Sequence, residues 1–207
     1  MATIASTFAV SPPETGEIPT LPVYRFSVSQ YLALAAANIL TSDDRVELID
    51  GWIVPKMTRH PPHTVATRAL YVALTALVPD GWFVTKEDPI ALDESMPEPD
   101  LAAIRGRSGD FRESHPGPEQ IALIAEVAES SLHRDRVEKL RIYAAAGIPR
   151  YWVVNLVDST VEVYADPRRD ASPANYEHLE IYGIDAVVPV ILDGREVGRI
   201  AVREILA

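Results

Sequence analysis

Three residues in the central part of the chain have side chains suited to the hydrolysis of a phosphate ester. Asp100 follows a Pro-Glu-Pro sequence and opens an apolar stretch, and Glu126 is the one polar residue of the run 121–127. Lys139 follows in a segment with the composition of a helix. Two carboxylates on adjacent strands can hold Mg²⁺, which prefers oxygen ligands, and a nearby ammonium can stabilise developing charge. Together these residues permit metal-assisted phosphodiester hydrolysis.

Each of the three residues also has an interpretation without chemistry. Asp100 fits a polar strand end, and Glu126 fits one half of a buried ion pair, because a buried carboxylate is costly unless it is paired or binds a cation. Lys139 is four residues after Asp135, the spacing of a salt bridge on a helix surface. Asp135 therefore either positions Lys139 or is a plain acidic residue near a helix N-terminus. The sequence leaves these alternatives open.

Capping and turn residues define the first elements that must position the site. Ser27 and Gln30 have capping-box spacing, which predicts a helix over residues 31–37. An Asp-Gly pair at residues 50–51 predicts a β-hairpin over residues 46–54. A second helix is predicted over residues 63–78, and four residues at helical spacing are expected to face its core: Val65, Ala69, Val72 and Ala76.

Strands dominate the rest of the chain. They are predicted at residues 82–85, 88–92, 100–104, 121–127, 151–156 and 160–164, with a β-rich tail from residue 176. The run 121–127 is expected to be central because it is almost wholly apolar. A helix is predicted over residues 134–146, with Gly147 after its end and with Val137, Leu140 and Ala144 facing the sheet.

This order of elements indicates one α/β or α+β domain with a mixed sheet over residues 23–207. Residues 1–22 contain four prolines and neither Lys nor Arg, so a flexible arm is expected there. The beginning of the sequence lacks the pattern of a secretion signal, and no apolar run has the roughly 18 residues of a membrane span. Neither feature is therefore expected.

Composition excludes several other classes of protein. The chain has 207 residues, 19 basic and 30 acidic side chains, a formal net charge of −11 and no cysteine. The lack of cysteine excludes a disulfide scaffold, a thiolate metal site and a cysteine nucleophile, and a cytoplasmic location is expected. The negative charge argues against a protein that coats nucleic acid through bulk charge. A small basic patch beside a metal remains compatible with it.

The order and spacing of these motifs resemble a known family. The chain is similar to the Uma2 family of endonucleases, which belongs to the PD-(D/E)XK, or restriction-endonuclease-like, superfamily. The similarity covers about residues 24–165. The matching features are the Glu47-Leu-Ile-Asp-Gly hairpin, the helix at His63, Pro99-Asp100, the Leu-Ile-Ala-Glu-Val sequence at 123–127, Ser130-Ser131, Asp135, Lys139, Tyr143, Gly147 and the Tyr-Trp-Val-Val sequence at 151–154.

The resemblance implies a fold and a set of roles. The fold is a four-stranded mixed sheet flanked by helices, with extra β-hairpins. Asp100 and Glu126 become metal ligands together with the backbone carbonyl of Val127, and Glu47 contacts the metal directly or through water. The implied cofactor is Mg²⁺ or Mn²⁺, and the implied substrate is nucleic acid. DNA is expected, although nothing in the sequence selects DNA over RNA, and cleavage of both strands of a duplex implies a homodimer.

The lysine departs from the superfamily pattern. A lysine is usual two residues after the glutamate, and that position is Ala128 here. The Uma2 family resembles superfamily members whose lysine lies on the next helix, a place that Lys139 fits, and Lys139 is then expected to position the attacking water. His63 is a further candidate for contact with a phosphate or water, or is a surface residue at a helix start. Three loop arginines contact phosphates or are ordinary surface: Arg105, Arg107 and Arg112.

Two other hypotheses compete with a nuclease. The first is a catalytically silent nuclease fold that binds nucleic acid or a protein partner; the negative charge and the lack of a DNA-reading element favour it. Glu126 disfavours it, because a binding module has no need of a carboxylate within a buried strand. The second is a metal-dependent hydrolase that acts on another phosphate ester.

Overall fold

A mixed six-stranded sheet forms the centre of the protein in a computed structural model, which describes residues 23–206. The arm expected for residues 1–22 lies outside the described residues. Only the central pair, β5 and β6, is parallel, and all other neighbours are antiparallel. The strands occur in the order β3 (Trp82–Lys86), β4 (Leu101–Arg105), β5 (Ile121–Ala128), β6 (Arg150–Asn155), β7 (Thr160–Arg168) and β8 (Asn175–Gly183).

Two hairpins and five helices complete the fold of the described residues. The hairpins are β1 (Val46–Ile49) with β2 (Trp52–Pro55), and β9 (Val187–Leu192) with β10 (Arg195–Ala201). The helices are α1 (Val28–Ala36), α2 (Pro61–Leu77), α3 (Leu132–Arg134), α4 (Leu140–Ala146) and α5 (Val202–Leu206). A π-helical turn, Asp135–Lys139, joins α3 to α4. No helix within residues 23–206 is long and apolar enough to cross a membrane.

Local sequence signals account for several of these boundaries. The predicted capping box begins α1, since the Gln30 N–H donates to Ser27 Oγ at 3.2 Å and the Ser27 N–H donates to Gln30 Oε1 at 2.9 Å. Asp50 and Gly51 have φ angles of 49° and 76°, which the two-residue turn between β1 and β2 requires. Gly147 ends α4 in the left-handed region, with a φ of 80°.

The sheet is buried on both faces. One face packs against α2, α5 and the β9–β10 hairpin around Leu70, Leu101 and Trp152. The other face packs against α4 around Ile124 and Ile142. All eight residues of β5 are buried, which confirms the prediction of a central strand. Side chains from β5 can therefore reach a site only at an end of the sheet.

Two sequence predictions about the first half of the chain are wrong. Residues 88–92 are not a strand, because their N–H groups bond to neighbouring loops, such as that of Ile90 to the Pro97 carbonyl and that of Leu92 to the Ser95 carbonyl. The predicted core face of α2 points outward, with Val65 and Val72 exposed at 53 % and 63 %. The buried face of α2 instead contains His63, Ala66, Thr67, Leu70 and Leu74. A count of apolar residues does not identify this face, because His63 and Thr67 are polar.

The π-helical turn changes which residues of the second long helix face the sheet. Val137 was predicted to pack on the sheet and is 48 % exposed. Asp135 and Lys139 are buried instead, at 2 % and 4 % exposure. A π turn adds one residue to a helical turn and so rotates the following residues about the helix axis. Such turns are frequent at functional sites.

A buried carboxylate fastens this helix to β7. Glu162 is 2 % exposed and accepts hydrogen bonds from Arg136 Nε at 3.0 Å, Tyr164 at 2.8 Å and Asn155 at 3.1 Å. Burial raises the pKa of Glu162, but these donors lower it by more, so the net pKa is below its ordinary value. The group is therefore held as a carboxylate in the folded protein.

We expect Glu162→Ala to lower the free energy of unfolding by about 2 kcal/mol, because the Asn155 and Tyr164 donors lose their buried acceptor. Since folding lowers the pKa of Glu162, the stabilisation is present at neutral pH and declines as the pH falls through that lowered pKa. Urea denaturation at neutral pH measures it. Glu196→Ala, which removes an exposed pair with Arg199, is the control and should change little. Equal stability of Glu162→Ala and wild type would contradict this role.

Candidate active site

Strand register brings the two predicted carboxylates together. Antiparallel pairing of β4 with β5 places Leu101 opposite Ala125, so Asp100 and Glu126 lie side by side at the end of both strands. The Asp100 N–H donates to Glu126 Oε2 at 3.3 Å. The Val127 N–H donates to Asp100 Oδ2 at 2.8 Å. Both side chains are almost fully buried, with 5 % and 3 % of their surface exposed.

Lys139 reaches the same carboxylate from the π-helical turn. Its ammonium donates to Glu126 Oε1 at 2.7 Å, and the Tyr143 hydroxyl donates to that oxygen at 2.7 Å. Lys139 is buried, so the alternative of a solvent-exposed salt bridge with Asp135 is wrong. Asp135 is buried beside it and accepts a hydrogen bond from Ser131 Oγ at 2.6 Å. Lys139 thus contacts Glu126 from the π-helical turn and not from strand β5.

Glu47 joins the cluster from the β1–β2 hairpin. It is 2 % exposed, and its Oε2 lies 4.0 Å from the ammonium of Lys139. Its carboxylate also accepts hydrogen bonds from Arg134 Nη2 at 3.0 Å and from the Glu98 N–H at 3.2 Å. All four predicted site side chains therefore line one cleft: Glu47, Asp100, Glu126 and Lys139.

His63 is an inner residue of this cleft and not a surface residue. Its Nε2 lies 3.1 Å from Asp100 Oδ2, and its side chain is only 11 % exposed. Thr67, one turn further along α2, lies within 3.3 Å of His63 Nδ1. The imidazole is thus held between a hydroxyl and the carboxylate, an arrangement that orients Asp100.

The basic residues at the cleft are not the loop arginines. The cleft is lined by Lys56, Arg59 and Arg134, and Arg59 Nε is 4.0 Å from Asp100 Oδ1. Arg105 lies at the far end of β4, where it pairs with Asp193 and stacks over Trp82. Neither Arg107 nor Arg112 lines the cleft. We therefore expect phosphate contacts from Lys56, Arg59 and Arg134 and not from the loop arginines.

The environment shifts the pKa values of the two carboxyl groups in opposite directions. For Asp100, burial raises the pKa, but the hydrogen bond and charge of His63 and the Val127 N–H lower it by more. For Glu126, burial raises the pKa to about 8, and Asp100 and Asp135 add to the rise that Lys139 opposes. Burial lowers the pKa of Lys139, but the charges of Glu126, Glu47 and Asp135 raise it above its ordinary value. Lys139 is therefore an ammonium at neutral pH.

The donor set at the strand ends fits a hard divalent cation. Mg²⁺ is commonly held by one or two carboxylates and retains several waters. Asp100 and Glu126 supply two buried carboxyl groups. The raised pKa of Glu126 indicates that neighbouring residues do not fully compensate the negative charge of the pair, which a bound cation would do. Within residues 23–206, no three His, Asp or Glu side chains are arranged to hold a metal by themselves. The remaining ligands would therefore be water and backbone oxygen.

The mixed sheet and the acidic pair at the ends of adjacent strands define a restriction-endonuclease-like fold. The chain belongs to the Uma2 family, described as "Putative restriction endonuclease", whose family model matches residues 28–196. A search among curated proteins finds no match. Among solved structures, the chain is similar to a "putative nuclease belonging to DUF820" from Anabaena variabilis ATCC 29413, with 14 % identity and a TM-score of 0.62. The alignment covers 87 % of this chain and 97 % of that chain, and it shows the common fold.

Sequence reasoning left out several residues of the cleft. Tyr143, which contacts Glu126 from beneath the cleft, is part of the family motif without an assigned role, although its position four residues after Lys139 places both on one helix face. Lys56 and Arg59 carry no pattern that distinguishes them from other surface cations. Their place at the cleft follows from the path of the chain between β2 and α2, which is a property of the folded structure.

Proposed function

We propose that this chain is a metal-dependent endonuclease that hydrolyses phosphodiester bonds of DNA and uses Mg²⁺ or Mn²⁺ as cofactor. The observation that carries the proposal is the convergence of Asp100, Glu126 and Lys139 in one cleft. Membership in the Uma2 family, described as "Putative restriction endonuclease", supports it. The cysteine-free sequence is consistent with the cytoplasm, where we place the protein as part of this proposal.

In this proposal the acidic residues hold the metal. Asp100 and Glu126 bind it through side-chain oxygens, the Val127 carbonyl is a further ligand, and Glu47 assists through water. A bound Mg²⁺ polarises the phosphate and makes a nucleophile more available at neutral pH. His63 keeps Asp100 in place by contact with Oδ2, which leaves Oδ1 for the cleft.

Lys139 acts as a charged hydrogen-bond donor and not as a base. The neighbouring carboxylates keep its pKa above the ordinary value, so it does not accept a proton at neutral pH. From its position on Glu126 it orients the attacking water and stabilises negative charge on the phosphate. What matters is where the ammonium lies, and a helix can place it there as well as a strand.

Three basic side chains lie at the rim of the cleft, although the protein as a whole is negatively charged. The net charge of −11 repels a polyanion. Lys56, Arg59 and Arg134 line the cleft, and each of them also forms an ion pair with a glutamate. Such residues position a nucleic acid through its phosphates and carry no sequence information. Because one site hydrolyses one strand, cleavage of both strands of a duplex further requires two copies, and the proposal includes a homodimer.

We expect the affinity for Mn²⁺ to depend on pH through Glu126. Its raised pKa of about 8 means that a proton competes with the metal at neutral pH. The dissociation constant should rise about tenfold per pH unit below that pKa and level off above it. Titration calorimetry in buffers of different ionisation enthalpy measures the released proton. A dissociation constant that does not change between about pH 6 and pH 8 would contradict this expectation.

A substrate panel tests the proposed activity. Wild-type protein is incubated with linear duplex, single-stranded DNA, RNA and a small phosphodiester, each with Mg²⁺, Mn²⁺ or EDTA. The proposal predicts metal-dependent internal cleavage of DNA. Preference for the small phosphodiester would make the protein a hydrolase of another phosphate ester. No cleavage, together with no Mn²⁺ binding, would favour the catalytically silent module.

A further inference from the structure

Strand β8 is an exposed edge of the central sheet. Within the described residues it pairs only with β7, and its five residues 177–181 are all exposed. The side chains of Leu179 and Ile181 are exposed at 49 % and 62 %. The strand has nine residues and contains neither proline nor lysine, two common devices that keep an edge strand from pairing. Its unpaired backbone groups and apolar side chains thus form a surface suited to another strand.

We propose that β8 pairs antiparallel with β8 of a second copy of this chain, about a two-fold axis at Leu179. The two sheets would then form one continuous sheet of twelve strands, six from each copy. This proposal specifies a surface for self-association and does not rest on the nuclease activity. It uses residues on the side of the sheet that carries no part of the cleft.

The sequence of β8 selects the register. Opposite residues in antiparallel strands point to the same face of the sheet. A two-fold axis normal to a continuous sheet must therefore lie midway between one residue of β8 and the same residue of the second copy. An axis at Glu180 would place two carboxylates opposite each other at the centre of the contact, which destabilises a strand pair. An axis at His178 would place two histidines opposite each other and would form no pair of opposite charge.

An axis at Leu179 gives the most favourable centre. Leu179 then lies opposite Leu179 of the second copy. Glu180 lies opposite His178, so an imidazole faces a carboxylate at two places. Apolar pairs and hydrogen-bonding pairs between opposite residues stabilise antiparallel strands. The one mismatch, Glu177 opposite Ile181, lies away from the axis, where both side chains are exposed to solvent.

The exposed face of α2 is a competing apolar surface. Val65 and Val72 lie there, and they would be the contact in a dimer formed through helices. Arg68 has no acidic partner on this helix, so a two-fold contact through α2 would leave it unpaired. The edge strand also has backbone groups to pair, which the helix has already satisfied internally. These differences favour β8 over α2.

Cysteine crosslinking tests both the surface and the register, because the chain has no cysteine of its own. Leu179→Cys places a thiol on the proposed axis next to its copy. Ile181→Cys places an equally exposed thiol on the same face, but about 14 Å from its copy, four residue steps along the strand. Val72→Cys reports contact through α2. Sedimentation velocity of the wild-type protein is measured in parallel.

The proposal predicts a wild-type dimer and a covalent dimer formed at least tenfold faster by Leu179→Cys than by Ile181→Cys or Val72→Cys. His178→Glu should weaken the dimer, because the introduced carboxylate would face Glu180 of the second copy, and a second change, Glu180→Lys, should restore it. The restoration separates the dimer contact from the bond that His178 makes to Asp166 within one chain. A wild-type monomer, equal rates for Leu179→Cys and Ile181→Cys, or fastest crosslinking by Val72→Cys would overturn the proposal.

Discussion

Asp100→Asn is expected to reduce metal-dependent cleavage by more than about 10³-fold, equivalent to about 4 kcal/mol of transition-state stabilisation. Asparagine is nearly isosteric and keeps an oxygen that can accept the Val127 N–H, which lies 2.8 Å from Asp100 Oδ2. The fold should therefore survive. The charge that holds the metal is lost, and in the proposed mechanism no other group in the cleft replaces it.

The same variant should lose the stabilisation that metal binding provides. At a Mn²⁺ concentration about 100 times the dissociation constant, binding stabilises a folded protein by about 2.7 kcal/mol. For a chain of this size, that corresponds to a rise in Tm of roughly 5–10 °C. Asp100→Asn should show no rise, whereas Asp170→Asn, which removes an exposed carboxylate, should behave as wild type. A full rise in Tm for Asp100→Asn would remove Asp100 from the metal site.

Lys139→Met is expected to separate catalysis from metal binding. The ammonium donates to Glu126 and is placed here as a donor to the attacking water and phosphate, so its loss should reduce the rate by about 10²- to 10³-fold. The carboxylates proposed to hold the metal remain. The rise in Tm with Mn²⁺ should therefore persist, because Lys139 and a metal compete for the same negative charge.

Two further variants sharpen the test of Lys139. Lys86→Met removes a lysine at the end of β3 and is expected to retain full activity. Adding Ala128→Lys to Lys139→Met returns the ammonium to the usual superfamily position, on the same face of β5 as Glu126. If the location of the charge is what matters, this double variant should recover at least about tenfold in rate. Loss of Mn²⁺ stabilisation in Lys139→Met, equal to that in Asp100→Asn, would instead make the lysine a structural residue.

The parts of the site that could be predicted are those encoded within one element. Glu126 stands out because it is the one polar residue of a buried strand, and the strand is central as expected. The resemblance to the Uma2 family then supplied Glu47 and a role for Lys139, neither of which is distinctive by itself. The adjacency of Asp100 and Glu126 depends on the register between β4 and β5, which joins residues 26 positions apart and is set by tertiary packing.

The errors have a common physical cause. Helical periodicity assumes a regular helix with an apolar buried face. The π-helical turn breaks the first assumption, since it buries Lys139 and exposes Val137. Helix α2 breaks the second, since His63 faces inward to reach Asp100 and the apolar Val65 faces outward. In both helices the departure from the regular pattern occurs where a polar side chain is directed to the cleft.

Relaxation of supercoiled plasmid by wild type and Glu126→Gln, purified identically and assayed with Mg²⁺ or with EDTA, tests the central claim most directly. Glu126 accepts hydrogen bonds from Lys139, Tyr143 and the Asp100 N–H, so the arrangement of the whole site depends on it. The account predicts nicking by wild type with Mg²⁺ only, and none by Glu126→Gln under either condition. Nicking by Glu126→Gln at the wild-type rate, or by wild type in EDTA, would contradict it.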